Sequence, residues 1–183
     1  MATNRNLAED VILLKKLFKA GENMEYICYF ASEIGTMGIT EKDGAITHLY
    51  LPGEPIPLKY SEAMTPTLYE AKQQLQDYFR GCRKDFDLTL SMSGTEFMVR
   101  VWHSLLTIPY GQTRSYGDIA RMIGNKNACR AVGMANHRNP ISIIVPCHRV
   151  IGSDGKLVGY GGGLKTKAYL LELEKYYSNL EKI

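Results

Sequence analysis

Three short runs early in the chain, Glu25 to Ser32, Thr36 to Glu41 and Ala45 to Leu51, read as short strands of a small sheet. Gly35 breaks the first from the second. Asp43-Gly44 breaks the second from the third and is the clearest hairpin signal in the chain, since both residue types tolerate positive φ. Leu51 to Pro66, rich in proline, reads as loop. From Thr67 to Phe79 the period lengthens, and Leu68, Ala71, Leu75 and Tyr78 share one face of a helix that Gly81 ends. Leu7, Val11, Leu14, Leu17 and Phe18 have the same helical spacing, so residues 7 to 19 read as an N-terminal helix packed on the domain.

Past residue 90 the texture is helical. Phe97, Val101, Leu105 and Ile108 form one apolar stripe that stops at Pro109-Tyr110-Gly111. Ser115 lies three residues before Asp118, the spacing of a helix N-cap answered by an acid, and Ile119, Ala120 and Ile123 give that helix a buried side until Gly124. Asn125-Lys126-Asn127 makes the turn. A second helix from Asn127 places Ala128, Ala131, Val132 and Ala135 on one face and Arg130, Gly133, Met134 and His137 on the other, and it ends before Asn139-Pro140. This is a helix-turn-helix pattern. Small side chains around one long cation suit entry into a DNA groove, with Arg130 taking the space of a displaced base; they suit close helix-helix packing equally well.

Composition adds limits. A chain of 183 residues with 45% hydrophobic content can bury a real core as one large domain or two small ones, and the change of texture divides it into residues 1–90 and 91–183. No stretch approaches ~20 apolar residues and the start lacks a secretory signal, so an intracellular location is expected, cytoplasmic or, in a eukaryote, nuclear, with no membrane partner. Cys28, Cys82, Cys129 and Cys147 have unrelated spacings, which predicts four free thiols and no metal site. The net charge of +3 is uneven: residues 1–90 carry 10 Lys/Arg against 13 Asp/Glu, and residues 91–183 carry 12 against 6. Between residues 97 and 151, Arg100, Arg114, Arg121, Lys126, Arg130, Arg138 and Arg149 face only Asp118. Such a field attracts phosphates, or forms a solvated basic face that binds nothing.

The candidate chemistry lies in Val145-Pro146-Cys147-His148-Arg149-Val150. A cysteine in an apolar run is commonly an inert core residue. Here a proline precedes it, which argues against a central strand position and for a shaped turn, and a histidine follows it. Neighbours in a strand point to opposite sides, so His148 reaches the thiol only through a turn or a bridging water; it would then take the thiol proton and leave the reactive thiolate.

Pro-Cys-His-Arg-Val, preceded by Ala131-Val132-Gly133 and Asn139-Pro140 and followed by Gly159-Tyr160-Gly161-Gly162-Gly163-Leu164, resembles the O6-alkylguanine-DNA alkyltransferases. The likeness covers Gly94 to about Glu174 closely, with Ile108-Pro109-Tyr110-Gly111 and Ser115-Tyr116-Gly117, and residues 25–90 more loosely. It implies an α+β fold, with an N-terminal ribonuclease-H-like α/β domain followed by a mainly helical winged-helix-like DNA-binding domain. It also implies a monomer that repairs double-stranded DNA carrying alkylated bases from the minor groove. Cys147 would accept the alkyl group from O6 of guanine, or O4 of thymine, once and irreversibly. His148 would be the base acting through water, Glu174 its orienting carboxylate, Tyr116 a donor to the guanine that also helps rotate its phosphate, and Asn139 the support of the turn. Arg130 would fill the stack beside Ser115, Lys126, Asn127, Ala128 and Gly133 on the DNA side. Val150, Val158, Tyr160, Gly161 and Met134 would form the base pocket, with carbonyls of Cys147 and Val150 reading the guanine edge.

The transfer that the resemblance implies needs no metal or diffusible cofactor; some relatives bind zinc through N-terminal cysteines, but Cys28 and Cys82 lack a four-ligand set, so none is expected here. Gly161 stands where some members have a hydroxyl residue and Val158 where some have glycine, which bears on the alkyl groups tolerated. Three rival readings are a protein that binds alkylguanine without repair, whose known examples replace the acceptor cysteine; a helix-turn-helix regulator reading the major groove; and a cysteine hydrolase, which would need an oxyanion hole.

Overall fold

The computed structural model describes residues 24–180, so the helix expected over residues 7–19 lies outside the described residues. Three antiparallel strands, β1 (Glu25–Ser32), β2 (Gly35–Lys42) and β3 (Ala45–Tyr50), form a meander at the three runs expected as a small sheet. Asp43 and Gly44 take φ of 52° and 79° between β2 and β3, the left-handed pair that a two-residue hairpin requires. The proline-rich stretch is not all loop: β4 (Ser61–Glu62) pairs parallel with β1 and completes the sheet order β3-β2-β1-β4. Two residues of edge strand are too short to leave a periodic signal.

Helix α1 (Pro66–Phe79) begins where Thr65 accepts a hydrogen bond from Leu68 N and Pro66 occupies the first turn, and it buries Leu68, Ala71, Leu75 and Tyr78 on the sheet side. The helical half contains α2 (Glu96–Leu106), the two-residue strand β5 (Arg114–Ser115), α3 (Tyr116–Met122), α4 (Cys129–His137), a turn of 3-10 helix over Cys147–Arg149, β6 (Val150–Ile151), which pairs with β5, and α5 (Gly163–Leu180). Ser115 and Asp118 form the reciprocal capping box at the start of α3.

Two expectations for α4 need correction. It starts at Cys129 rather than Asn127, and its buried stripe is Ala128, Val132 and Ala135, with Ala131 exposed. The stripe follows the 4,3 spacing that faces α2, where Trp102 Nε1 donates to Ala135 O at 2.9 Å.

The two halves share one hydrophobic core that runs from Cys28 to Leu170. At the β3 edge, Ile46 bridges to Leu90 and Leu49 to Ile141, with Leu49 N donating to Pro140 O at 2.8 Å. The segment leading to Cys147 is therefore hydrogen-bonded to the sheet. Among the described residues, no helix is long and apolar enough to cross a membrane.

Gly81, after α1, has φ of 73°, and a Cβ there would lie 2.3 Å from the Tyr177 ring of α5. Gly81→Ala combines a left-handed penalty with a collision between the halves, and a loss of roughly 2–4 kcal/mol is expected. Chemical denaturation checks it, and a variant as stable as the parent would contradict this packing.

Candidate active site

Cys147 sits at the start of the 3-10 turn and is 4% exposed. Asn139 clamps the segment before it, with Nδ2 donating to Val145 O at 2.8 Å and Oδ1 accepting from Ile141 N at 3.1 Å. Inside that clamp Ile143 has φ of 73°. Left-handed backbone is rare for a β-branched residue and costs roughly 1–2 kcal/mol. Bonds from Val145 N to Ile141 O (2.9 Å), Ile144 N to Ser142 O (3.0 Å) and Cys147 N to Val145 O (2.8 Å) hold it there.

The turn directs His148 inward, where it is fully buried and its Nε2 lies 2.7 Å from Glu174 Oε1. Glu174, on α5, also accepts from Tyr78 OH (2.8 Å), from Gly111 N (2.9 Å) and from Arg149 through Nε and Nη2 at 3.0–3.1 Å. Arg149 Nη1 donates to Ile108 O at 2.6 Å. With Nε2 carrying the proton toward Glu174, Nδ1 is the basic nitrogen, and nothing among the described residues hydrogen-bonds it.

Burial would raise the Glu174 carboxyl, but His148 and the Arg149 guanidinium outweigh it and hold it at about 2. Burial pushes His148 below its ordinary value despite Glu174. Burial likewise raises the Cys147 thiol, against Asn139, Ser142 and the Lys167 ammonium, and it raises Tyr116, which stays a phenol.

Lys167 is fully buried on α5 and donates to Val150 O (2.6 Å), Val158 O (2.8 Å) and Gly159 O (3.2 Å), which ties the strap over Cys147 to the strand below. Tyr116 OH donates to the same Val158 carbonyl at 3.0 Å. Between strap and α4 lies a cavity of about 50 Å³ lined by Tyr116, Gly133, Asn136, His137, Cys147, Gly159 and Tyr160. That is room for a few waters and not for a purine.

Two family models match this chain: 6-O-methylguanine DNA methyltransferase, ribonuclease-like domain, over residues 25–92, and the DNA binding domain of the same family over residues 96–176. A methylated-DNA–protein-cysteine methyltransferase from Mycobacterium leprae is 63% identical over 107 residues, which are 58% of this chain and 65% of that protein. The constitutive one from Bacillus subtilis is 46% identical over 160 residues, 83% of this chain and 96% of that protein. This chain belongs to the 6-O-methylguanine DNA methyltransferase family.

Among solved structures, a crystal structure of Mycobacterium tuberculosis OGT in complex with DNA matches with a TM-score of 0.79 and 47% identity, covering 83% of this chain and 94% of that one. In this methyltransferase-family chain Cys147, His148 and Glu174 come together in one buried cluster, and Tyr116 and Tyr160 line the cavity above Cys147. Four of the residues expected in the base pocket do not line this closed cavity. Val150 is buried beneath it and its carbonyl is taken up by Lys167; Met134 is half-exposed; Val158 turns its side chain outward and its carbonyl inward; Gly161 lies against Glu54 in the neighbouring groove. Asn136, His137 and Gly159 line the cavity beside Tyr116, Cys147 and Tyr160.

On the outer face of α4 and its turn, Lys126, Asn127 and Arg130 are exposed, Gly133 passes under the Tyr116 ring, and Ala128 is buried. The Ser115 hydroxyl is engaged by Asp118. Arg149 is 5% exposed and paired with Glu174, Arg121 with Asp118 and Arg100 with Glu96, so they leave the basic field to Arg114, Lys126, Arg130 and Arg138. Lys167, Arg149 and Tyr78 carry no site signal in the sequence: a lysine between Thr166 and Ala168 in a polar helix looks solvated, and Arg149 and Tyr78 meet Glu174 from 25 and 96 residues away.

The buried cluster dictates a pH response. His148, whose folded pKa lies below its unfolded one, contributes stability that is full above about 6.5 and lost as pH falls from there; Glu174, held at about 2, contributes stability present above about 4.5 and lost between 4.5 and 2. Thermal melting across pH 8 to 2.5 is expected to decline in these two stages, and a midpoint constant from pH 7 to 3 would refute the assignment.

Proposed function

We propose that this chain transfers a methyl or larger alkyl group from O6 of guanine in double-stranded DNA, and from O4 of thymine, to Cys147, once per molecule. The observation that carries this reading is a buried cysteine beside a His148–Glu174 pair whose basic Nδ1 is unengaged, under a small cavity at the edge of a basic helix-turn-helix. The thiol proton passes through a water molecule to His148 Nδ1, and Glu174 stabilises the imidazolium. The S–C bond forms as the C–O6 bond breaks, and the electron pair passes into the purine. Tyr116, kept protonated by burial and lining the cavity, donates to the leaving base. The thioether has no ready leaving group, so the protein is consumed.

The alkylated base enters after rotating out of the helix, and the strap from Val158 to Gly161 yields its bond with Tyr116 to admit it. The α4 face carrying Arg130 enters the minor groove, where small side chains permit close approach and Arg130 fills the vacated stack; Lys126 and Asn127 hold phosphate. The protein acts as a monomer in the compartment that holds the DNA.

Incubation with a duplex containing O6-methylguanine is expected to add one methyl group, on the Cys147 peptide, as read by mass spectrometry. No transfer at equimolar protein would sink the proposal. Arg130→Ala is expected to slow transfer from duplex by ten-fold or more, on the order of the cost of losing one base-flipping contact, while leaving reaction with free O6-benzylguanine nearly unchanged. Equal slowing of both reactions would remove Arg130 from base extrusion.

A further inference from the structure

The cluster around Glu174 contains one group that belongs to the sheet half. Tyr78, in the last turn of α1, is fully buried, and its ring packs edge-on against Phe79 and Tyr110. Its hydroxyl donates to Glu174 Oε1 at 2.8 Å and lies 3.5 Å from His148 Nε2. That same oxygen receives His148 Nε2 at 2.7 Å and the Arg149 guanidinium at 3.0–3.1 Å. A carboxylate oxygen has two lone pairs, so these four donor atoms from three residues share its charge and each draws less of it.

We propose that Tyr78 is a positioning residue for the alkyl-transfer relay: by occupying Glu174 Oε1 it fixes the carboxylate and limits the pull of Glu174 on His148, which sets the basicity of Nδ1. The inference rests on the alkyl-transfer reading for its kinetic consequence and on the hydrogen-bond geometry alone for its effect on His148. A phenol serves here because it remains a donor throughout the pH range in which His148 titrates; burial and the Glu174 charge raise Tyr78 well above its ordinary value. The other ionisable groups facing the pair are Arg149 on the turn, Lys167 on α5, Cys147, Tyr160 on the strap, and Tyr110, whose ring lies under Arg149 and Lys84. Tyr78→Phe changes none of these and keeps the aromatic packing.

Without the hydroxyl, His148 has a larger share of Oε1, its imidazolium is better stabilised, and its pKa rises. Single-turnover transfer needs His148 neutral before it takes the thiol proton, so the acid limb of the rate profile in Tyr78→Phe is expected to move up by roughly 0.5–1 pH unit. At a pH on that limb the rate falls about three- to ten-fold, and on the plateau it is nearly unchanged. NMR titration of the His148 ring, with no DNA present, is expected to show the same upward shift. Site-specific 3-fluorotyrosine at position 78, a stronger donor of the same shape, is expected to shift both readouts downward and serves equally if the phenylalanine variant does not fold. A His148 titration that is identical with tyrosine, phenylalanine and 3-fluorotyrosine at position 78 would overturn the proposal and leave Tyr78 a packing residue. Failure of the parent protein to take a methyl group would instead overturn the transfer reading, while the NMR titration would still decide the role of Tyr78.

Discussion

A single ionised carboxylate without solvent contact organises this molecule. Glu174, on α5, is held by donors from three separate stretches of chain, namely α1 through Tyr78, the turn after α2 through Gly111, and the 3-10 turn through His148 and Arg149. A buried charge left unpaired is among the costliest errors a fold can contain, so each of these segments has to be in register before the others are stable. Arg149 supplies the compensating charge, and its remaining donor ties to Ile108 O. The geometry that places His148 beside Cys147 is thus the geometry that keeps the two halves docked.

Local order was legible in the sequence wherever it depended on neighbours in the chain. Asp43-Gly44, Ser115 with Asp118, and the stripes from Leu68 to Tyr78 and from Phe97 to Ile108 all express short-range rules, and each appears in the structure, with Phe97 only partly buried. The α4 stripe was misjudged at Ala131 because alanine is compatible with either face, and it is Trp102 on α2 that decides which side is covered. Of the candidate site, the Cys147-His148 pair stood out from its proline and its histidine, and Glu174 entered only through family resemblance. Lys167 and Arg149 carry charges that sequence patterns assign to the surface, yet both are inside, because backbone carbonyls and Glu174 satisfy them there. Tyr78 lies in the core as its helical spacing predicts, and the role of its polar end depends on a partner 96 residues away.

The strand-to-turn passage from Ile141 to Cys147 shows how conformational cost is carried by surrounding bonds. Ile143 occupies a backbone region that suits glycine, and it stays there because Asn139, the internal turn bonds and the Leu49–Pro140 link fix both ends of the segment. The apolar side chain of Ile143 is itself fully buried, so packing offsets part of the strain that places Cys147 at the floor of its cavity.

The closed cavity above Cys147 bears on how a protein that, as proposed, has one lifetime event avoids wasting it. A thiol on the surface would be spent on any soluble electrophile. Here the sulfur is nearly inaccessible, burial keeps it in the unreactive protonated form, and a strap held by Lys167 and Tyr116 leaves space for little more than water. Under the transfer proposed above, reactivity is conditional on a visitor large enough to displace the strap and shaped to replace its bonds, and until one arrives the molecule has a long shelf life.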